Sequence, residues 1–173
     1  MSSKVKVVAQ YHNYSPPIDV YRSVQLLLKF VPQNYLVGLH KVVLTNSEEV
    51  ANQIRGKISR EKRRFRLSEC LGFYSNGQIV LLIDKIFNNF PEFFLLIPPF
   101  KTYVIGETLY HEIGHHIHRI EQPGYRADKE TVADEWKEKL LQRFVTERYW
   151  YLAKLIRMII LGVNPIASWL RRA

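Results

Sequence analysis

The segment Thr108-Leu109-Tyr110-His111-Glu112-Ile113-Gly114-His115-His116-Ile117 decides how the chain is read. It lies in a stretch from Lys101 to Ile120 that has no proline and reads as a helix, ended by Pro123-Gly124. On a helix, residues four apart sit one turn apart on the same face. His111 and His115 can therefore offer two imidazoles to one ion. Zinc suits neutral imidazole, and two nitrogens plus a carboxylate leave a fourth position open for water. Glu112, beside the first histidine, can reach that water without binding the metal and is placed as a general base. Leu109, Tyr110, Ile113, Gly114 and Ile117 are uncharged, as a helix buried beside a metal requires. The bland alternative is a surface helix with two histidines and an unrelated glutamate, because a match this short also arises by chance.

One straight helix cannot surround an ion, so a third ligand has to come from elsewhere. Glu130-Thr131-Val132-Ala133-Asp134 supplies one. A further helix starts near Asp128, a good capping residue, and the Pro123-Gly124 turn lets it fold back on the first. Glu130 then falls in its first turn, where a negative charge also suits the helix terminus for purely local reasons. Asp134, one turn on, can accept the free ring N–H of a zinc-bound histidine. Glu121 and Glu135 compete with Glu130 as the ligand, although Glu121 falls at the very end of the motif helix.

His-Glu-x-x-His followed by Glu-x-x-x-Asp resembles the gluzincin pattern of zinc metallopeptidases. The short spacing and the Glu130 to Leu141 stretch look like the small cytoplasmic branch that includes the minigluzincins and the ImmA/IrrE-like peptidases. The resemblance covers roughly Leu71 to Leu141, with a weaker echo in Ile18 to Leu44. It implies a zinc-dependent endopeptidase holding one zinc per chain through His111, His115 and Glu130, with Glu112 as base and Asp134 behind a ligand. It also implies a compact zincin core, a small twisted sheet packed on the motif helix, with the Gln78 to Asp84 strand as the cleft edge for an extended or unfolded substrate. That strand could equally be an ordinary paired member of a hairpin.

The metzincin continuation is absent, since His118 and Glu121 stand where that pattern wants glycine and histidine. His118 lies about 10 Å along the helix from His111, too far to share the ion, and reads as a cleft-lining or structural residue. His116 points away and reads as a surface residue or one that packs on the sheet. No pattern identifies an oxyanion stabiliser. Tyr125, in the turn between the ligand helices, and Tyr110 are the candidates, and both types of residue more often pack.

Ahead of the motif, Ser15-Pro16-Pro17 reads as a helix start followed by Ile18, Tyr21, Val24, Leu28 and Val31 at helical spacing, with Pro32 as the stop. Leu36 to Leu44 reads as a strand, and Ser47-Glu48-Glu49 as the start of a short helix ending near Gly56. Leu71 to Tyr74 and Gln78 to Ile83 flank Ser75-Asn76-Gly77, the clearest hairpin signal. Asn88 to Phe100, with three prolines, reads as a loop or broken helix. The last long helix should run from Asp128 toward Leu161, with a break near Thr146. This order of elements predicts an α+β fold. One domain of 173 residues is expected, with a core of roughly 15–145 and a helical extension over 146–173.

The single Cys70 forms no internal disulfide, residues 1–10 lack a signal-peptide stretch, and the apolar runs fall short of the ~20 residues a membrane helix needs. A cytoplasmic protein without a transmembrane segment is expected. The net charge of +9 admits an anionic partner. Seven Lys/Arg between Arg55 and Arg66 could grip nucleic acid or simply form a solvated face. The alternative functions are thus a basic nucleic-acid-associated protein, or a regulatory peptidase acting on one DNA-bound or repressor-like partner. Tyr149 to Leu161 is apolar on most sides and reads as a core helix, a homodimer interface or a plug over the cleft.

Overall fold

Val42 to Leu44 and Ile79 to Leu82 are runs of consecutive buried aliphatic residues, with no polar residue breaking either. A strand that reads this way is covered on both faces, and these two form the centre of a four-stranded sheet. The structure is a computed structural model that describes residues 5–55, 70–90, 97–121 and 128–151. Strands β1 (Lys6–Gln10), β2 (Lys41–Thr45) and β4 (Gln78–Leu82) run parallel, and β3 (Gly72–Ser75) runs antiparallel to β4. The spatial order is β1-β2-β4-β3. Helices α1 (Val20–Leu28), α2 (Ser47–Arg55), α3 (Ile83–Asn88), α4 (Pro98–Glu121) and α5 (Lys129–Arg148) complete an α+β protein. Contacts divide the chain into two units, Met1–Leu141 and Gln142–Ala173, with the sheet in the first.

Helix α4 packs on β3 and β4, and α1 packs beside it and against β1. The Tyr110 hydroxyl, fully buried on α4, donates to the Leu27 carbonyl at 3.0 Å. Leu27 lies in the last turn of α1, and its carbonyl, which also accepts the Phe30 N–H at 3.0 Å, uses its second lone pair for Tyr110, so this bond fixes the two helices against each other. Tyr110 is therefore a core residue and not an oxyanion group.

Several boundaries differ from the sequence reading. The first helix starts at Val20, because Asp19 and not Ser15 caps it, accepting the Arg22 N–H at 3.0 Å. Its inner face is Val20, Val24, Leu27 and Leu28, while Tyr21 is exposed. Gln33–Leu36 is a single 3₁₀ turn, and the Leu39 N–H returns to the Leu36 carbonyl, so the strand begins only at Lys41. Strand β1 lies ahead of the core boundary expected near residue 15. Ile83 and Asp84 belong to α3 rather than to the preceding strand. Gln78–Leu82 is paired on both sides and is not the cleft edge, a place taken by β3. Helix α4 begins at Pro98, where a proline costs nothing because the first N–H groups of a helix lack partners anyway.

The hairpin is as expected, with Asn76 and Gly77 at φ +48° and +76°, the mirror-image turn that matches strand twist. It is also a tertiary anchor. The Gly77 carbonyl accepts the His40 N–H at 2.8 Å, and the Gly77 N–H donates to the Tyr74 hydroxyl at 3.2 Å. That hydroxyl in turn lies 3.0 Å from Nδ1 of His116, whose Nε2 reaches the Val37 carbonyl at 3.1 Å. His116 is thus buried against the hairpin with both ring nitrogens engaged, Nε2 donating and Nδ1 accepting, and burial lowers its pKa.

A β-carbon on Gly77 would collide with the Gly38 carbonyl and would also carry a disfavoured positive φ. Gly77→Ala is expected to destabilise the protein by about 2 kcal/mol or more, read from the urea midpoint. A change of less than about 0.5 kcal/mol would remove the hairpin tip as an anchor.

Candidate metal centre

Gly114 brings the two site-bearing helices together. A β-carbon there would lie 2.6 Å from Cα of Ala133 and 2.7 Å from its carbonyl oxygen. Backbone atoms approach this closely only where no side chain intervenes, so α4 and α5 cross at Gly114 and Ala133. Gly114 lies between His111 and His115, and Ala133 between Glu130 and Asp134. One close crossing therefore places all four side chains on a common patch.

Asp128 starts α5 as expected, accepting the Thr131 N–H at 3.3 Å and the Thr131 hydroxyl. That cap puts Glu130 in the first turn. Its Oε2 lies 3.4 Å from Nε2 of His111 and 3.6 Å from Nε2 of His115, and the two ring nitrogens are 3.2 Å apart. These three residues are the one group of His, Cys, Asp or Glu with converging ligand atoms among the described residues. Glu121 is exposed at the end of α4, and Glu135 faces Lys139 at 4.0 Å.

The triangle can be tested against zinc. A point equidistant from its corners lies about 2.0 Å from each atom, the length of a zinc–nitrogen or zinc–oxygen bond. The donor chemistry agrees. Nδ1 of His111 lies 3.0 Å from Oδ1 of Asp134, so a proton belongs on Nδ1 and Nε2 is the nitrogen left to face an ion. Burial lowers the pKa of His115, favouring the neutral ring. Two lone pairs and a carboxylate facing one another repel unless a proton or cation lies among them. The group could hold a metal ion, and its spacing and donor types are compatible with zinc.

Asp134 is where the sequence pattern puts it, but it has a partner that the pattern missed. Lys137 Nζ binds the same Oδ1 at 2.8 Å, and Lys137 followed by His111 hold the Asp134 carboxyl below its usual range. The signal was available in the sequence, since Lys137 lies three residues beyond Asp134 on the same helix face.

Glu112 is buried on the next position of α4. In the hairpin register, Ser75 and Gln78 close the turn, so Gly72 and Tyr74 turn their N–H and C=O groups away from β4. The Tyr74 N–H points out of the sheet and donates to Glu112. The Glu112 carboxyl is pushed up to about 7, first by burial and then by Glu130, against the lowering effect of that N–H. Beside it opens a cleft of about 440 Å³, lined by Gly72, Phe90, Val104, His111, Glu112 and Lys137 among others. Cys70 also lines it, with its thiol donating to the Gly72 carbonyl and raised in pKa by burial.

His118 is buried, and its Nε2 has no hydrogen-bond partner among the described residues. It does not line the cleft, which leaves the structural reading. Tyr125 and the Pro123-Gly124 turn lie outside the described residues. So do the basic run beyond Arg55 and the chain after Tyr151. No family model, curated protein or solved structure matches the chain.

Gly114→Ala should force α5 away from α4, because the colliding atoms are backbone and trimming Ala133 to glycine cannot relieve them. The expected cost is about 1–3 kcal/mol, together with loss of the His111–Asp134 contact. The His111 Nδ1 proton should then exchange faster with solvent in nuclear magnetic resonance spectra. An unchanged exchange rate would show that the crossing does not set the site.

Proposed function

We propose that the chain is a zinc-dependent peptidase. The observation that carries the reading is the His111–His115–Glu130 triangle, sized for one zinc and flanked by a buried carboxyl at the wall of an open cleft. The resemblance of the two motifs to the gluzincin pattern, and to its small branch, supports the same reading.

His111, His115 and Glu130 would hold the ion, and Asp134, steadied by Lys137, would keep the His111 ring turned toward it. Zinc in such a site acidifies water and polarises a carbonyl. Glu112 would accept the proton lost as water attacks the peptide carbonyl and hand it to the departing amine. A carboxyl whose pKa lies near neutrality is suited to both transfers. The outward N–H and C=O groups of Gly72 and Tyr74 would align an extended substrate backbone along β3, by the same pairing that builds a sheet. Their present partners, Cys70 and Glu112, occupy only part of that edge.

Two substitutions test the assignment. Glu112→Gln should keep about one zinc per chain and slow cleavage of an unfolded protein by about 10²–10⁴-fold, because it removes the base and leaves the ligands. Glu130→Ala should lose zinc, since two imidazoles alone leave the ion half-coordinated. Metal analysis and a casein digest read both. A Glu112→Gln protein as active as the parent would falsify the role of Glu112. Full zinc retention in Glu130→Ala would remove it from the ligand set.

A further inference from the structure

Contacts run in step along α4 and the hairpin. Glu112 accepts the Tyr74 N–H, His116 meets the Tyr74 hydroxyl at 3.0 Å, and Nη1 of Arg119 donates to Oδ1 of Asn76 at 3.0 Å. Positions 112, 116 and 119 fall on one face of a helix. The face that carries Glu112 therefore also carries Arg119, about 10 Å further along the axis. Arg119 reaches the tip of the hairpin, where the open edge of β3 ends.

A hollow of about 310 Å³ opens there, between the tip and the last turns of α4. Gly38 and Gly77, at φ +81° and +76°, form part of its wall, and a β-carbon on Gly77 would lie 3.0 Å from the His40 ring. Tyr74 and His116 also line it, but they are engaged with each other and with the Val37 carbonyl. His40 and Arg119 remain. Arg119 spends one of its five donors on Asn76, which is uncharged. Neither Arg119 nor His40 pairs with a carboxylate among the described residues, and no carboxylate among them lines the hollow. Ile120, which is exposed, adds an apolar wall.

We propose that this hollow takes a carboxylate of the peptide substrate, either an acidic side chain or a C-terminus, gripped by the Arg119 guanidinium beside the His40 ring. The inference rests on the peptidase reading and adds a preference to it. A guanidinium presents paired N–H groups that match the two oxygens of a carboxylate. An imidazole has an N–H to donate in either protonation state. A peptide laid along β3 advances about 3.4 Å per residue, so the 10 Å between Glu112 and Arg119 sets the carboxylate about three residues from the bond that is cut. A free phosphate would also satisfy the two cations. The place of the hollow, at the end of the strand edge given to the substrate, favours a peptide.

Cleavage of designed peptides by the full-length, zinc-loaded protein tests the proposal. Short quenched-fluorescent peptides are built around a bond that the protein cuts in casein. One series carries aspartate or asparagine three positions to either side of that bond, and a second ends there as a free acid or an amide. On one side, the carboxylate should raise kcat/KM at least about ten-fold over its neutral counterpart, and the gain should lie in KM. The series that responds identifies the source of the carboxylate, and the side that responds gives the direction of the substrate along β3. Arg119→Gln should bring the ratio to within about two-fold of one. His40→Gln should lower it independently. Arg119→Glu should reverse it in favour of lysine at the same position, an outcome that a merely structural role for Arg119 would not produce. A parent that cuts acidic and neutral peptides alike overturns the carboxylate site and leaves the peptidase reading standing. A preference that survives both Arg119 substitutions overturns it as well. A parent that leaves casein intact removes the peptidase reading and this site with it.

Discussion

The site rests on a missing β-carbon. At Gly114 the backbone of α4 meets that of α5 at Ala133, closer than any side chain would permit. Each histidine is within three residues of that point on one helix, and each carboxylate within three residues on the other. A helix turn rises 5.4 Å, so residues this near a crossing cannot stray far from one another. The ligand distances of 3.2–3.6 Å follow from this crossing more than from any direct attraction between exposed Glu130 and the histidines. A surface ion pair contributes at most about 1 kcal/mol, whereas opening a packed helix crossing costs considerably more.

The other face of α4 is fastened just as firmly. Tyr110 bonds α1, and His116 bonds both the Tyr74 hydroxyl and the Val37 carbonyl. These buried polar contacts have a narrow geometry and are costly to leave unsatisfied, so they set the rotation of α4 about its axis. That rotation turns His111 and His115 toward α5 and places Glu112 against the edge of β3. The Tyr74 residue serves twice, its hydroxyl positioning His116 and its backbone N–H reaching Glu112. The sheet is thus part of the site and not only its support.

Much of this was legible from local pattern. The spacing of His111 and His115, the Asp128 cap, the Asn76-Gly77 turn and the Asp134 partner each depend on residues within one or two turns of each other, where sequence spacing is geometry. What sequence concealed depends on contacts across the chain. Strand β1 is five residues at a sheet edge, with exposed Lys6 and Gln10 at its ends, and only its pairing with β2 defines it. Which strand forms the edge depended on β4 inserting between β2 and β3, an order that no hairpin signal encodes. Tyr110 could be assigned to the core only once the Leu27 carbonyl, 83 residues away, was seen beside it. In the sequence Gly114 is only one more uncharged residue of the motif, and its importance appears with Ala133 opposite.

Glu112 and Asp134 show how surroundings separate two carboxyls on neighbouring helices. Glu112 is dry, and burial outweighs the single N–H that stabilises its anion, so its proton is held to near neutrality. Asp134 is half exposed and bound by an ammonium and an imidazole N–H, which hold its carboxyl below the usual carboxylate range. A carboxyl whose pKa lies near neutrality suits proton transfer, and one held below its usual range suits a fixed acceptor. The division would fail if their surroundings were reversed. An exposed Glu112 would sit ionised near its ordinary pKa and be a poor proton donor, while a buried, unpaired Asp134 would protonate and release the His111 ring. The two environments stay distinct because α4 carries Glu112 against β3, where the Tyr74 N–H meets it, and faces His111 toward Asp134 on α5.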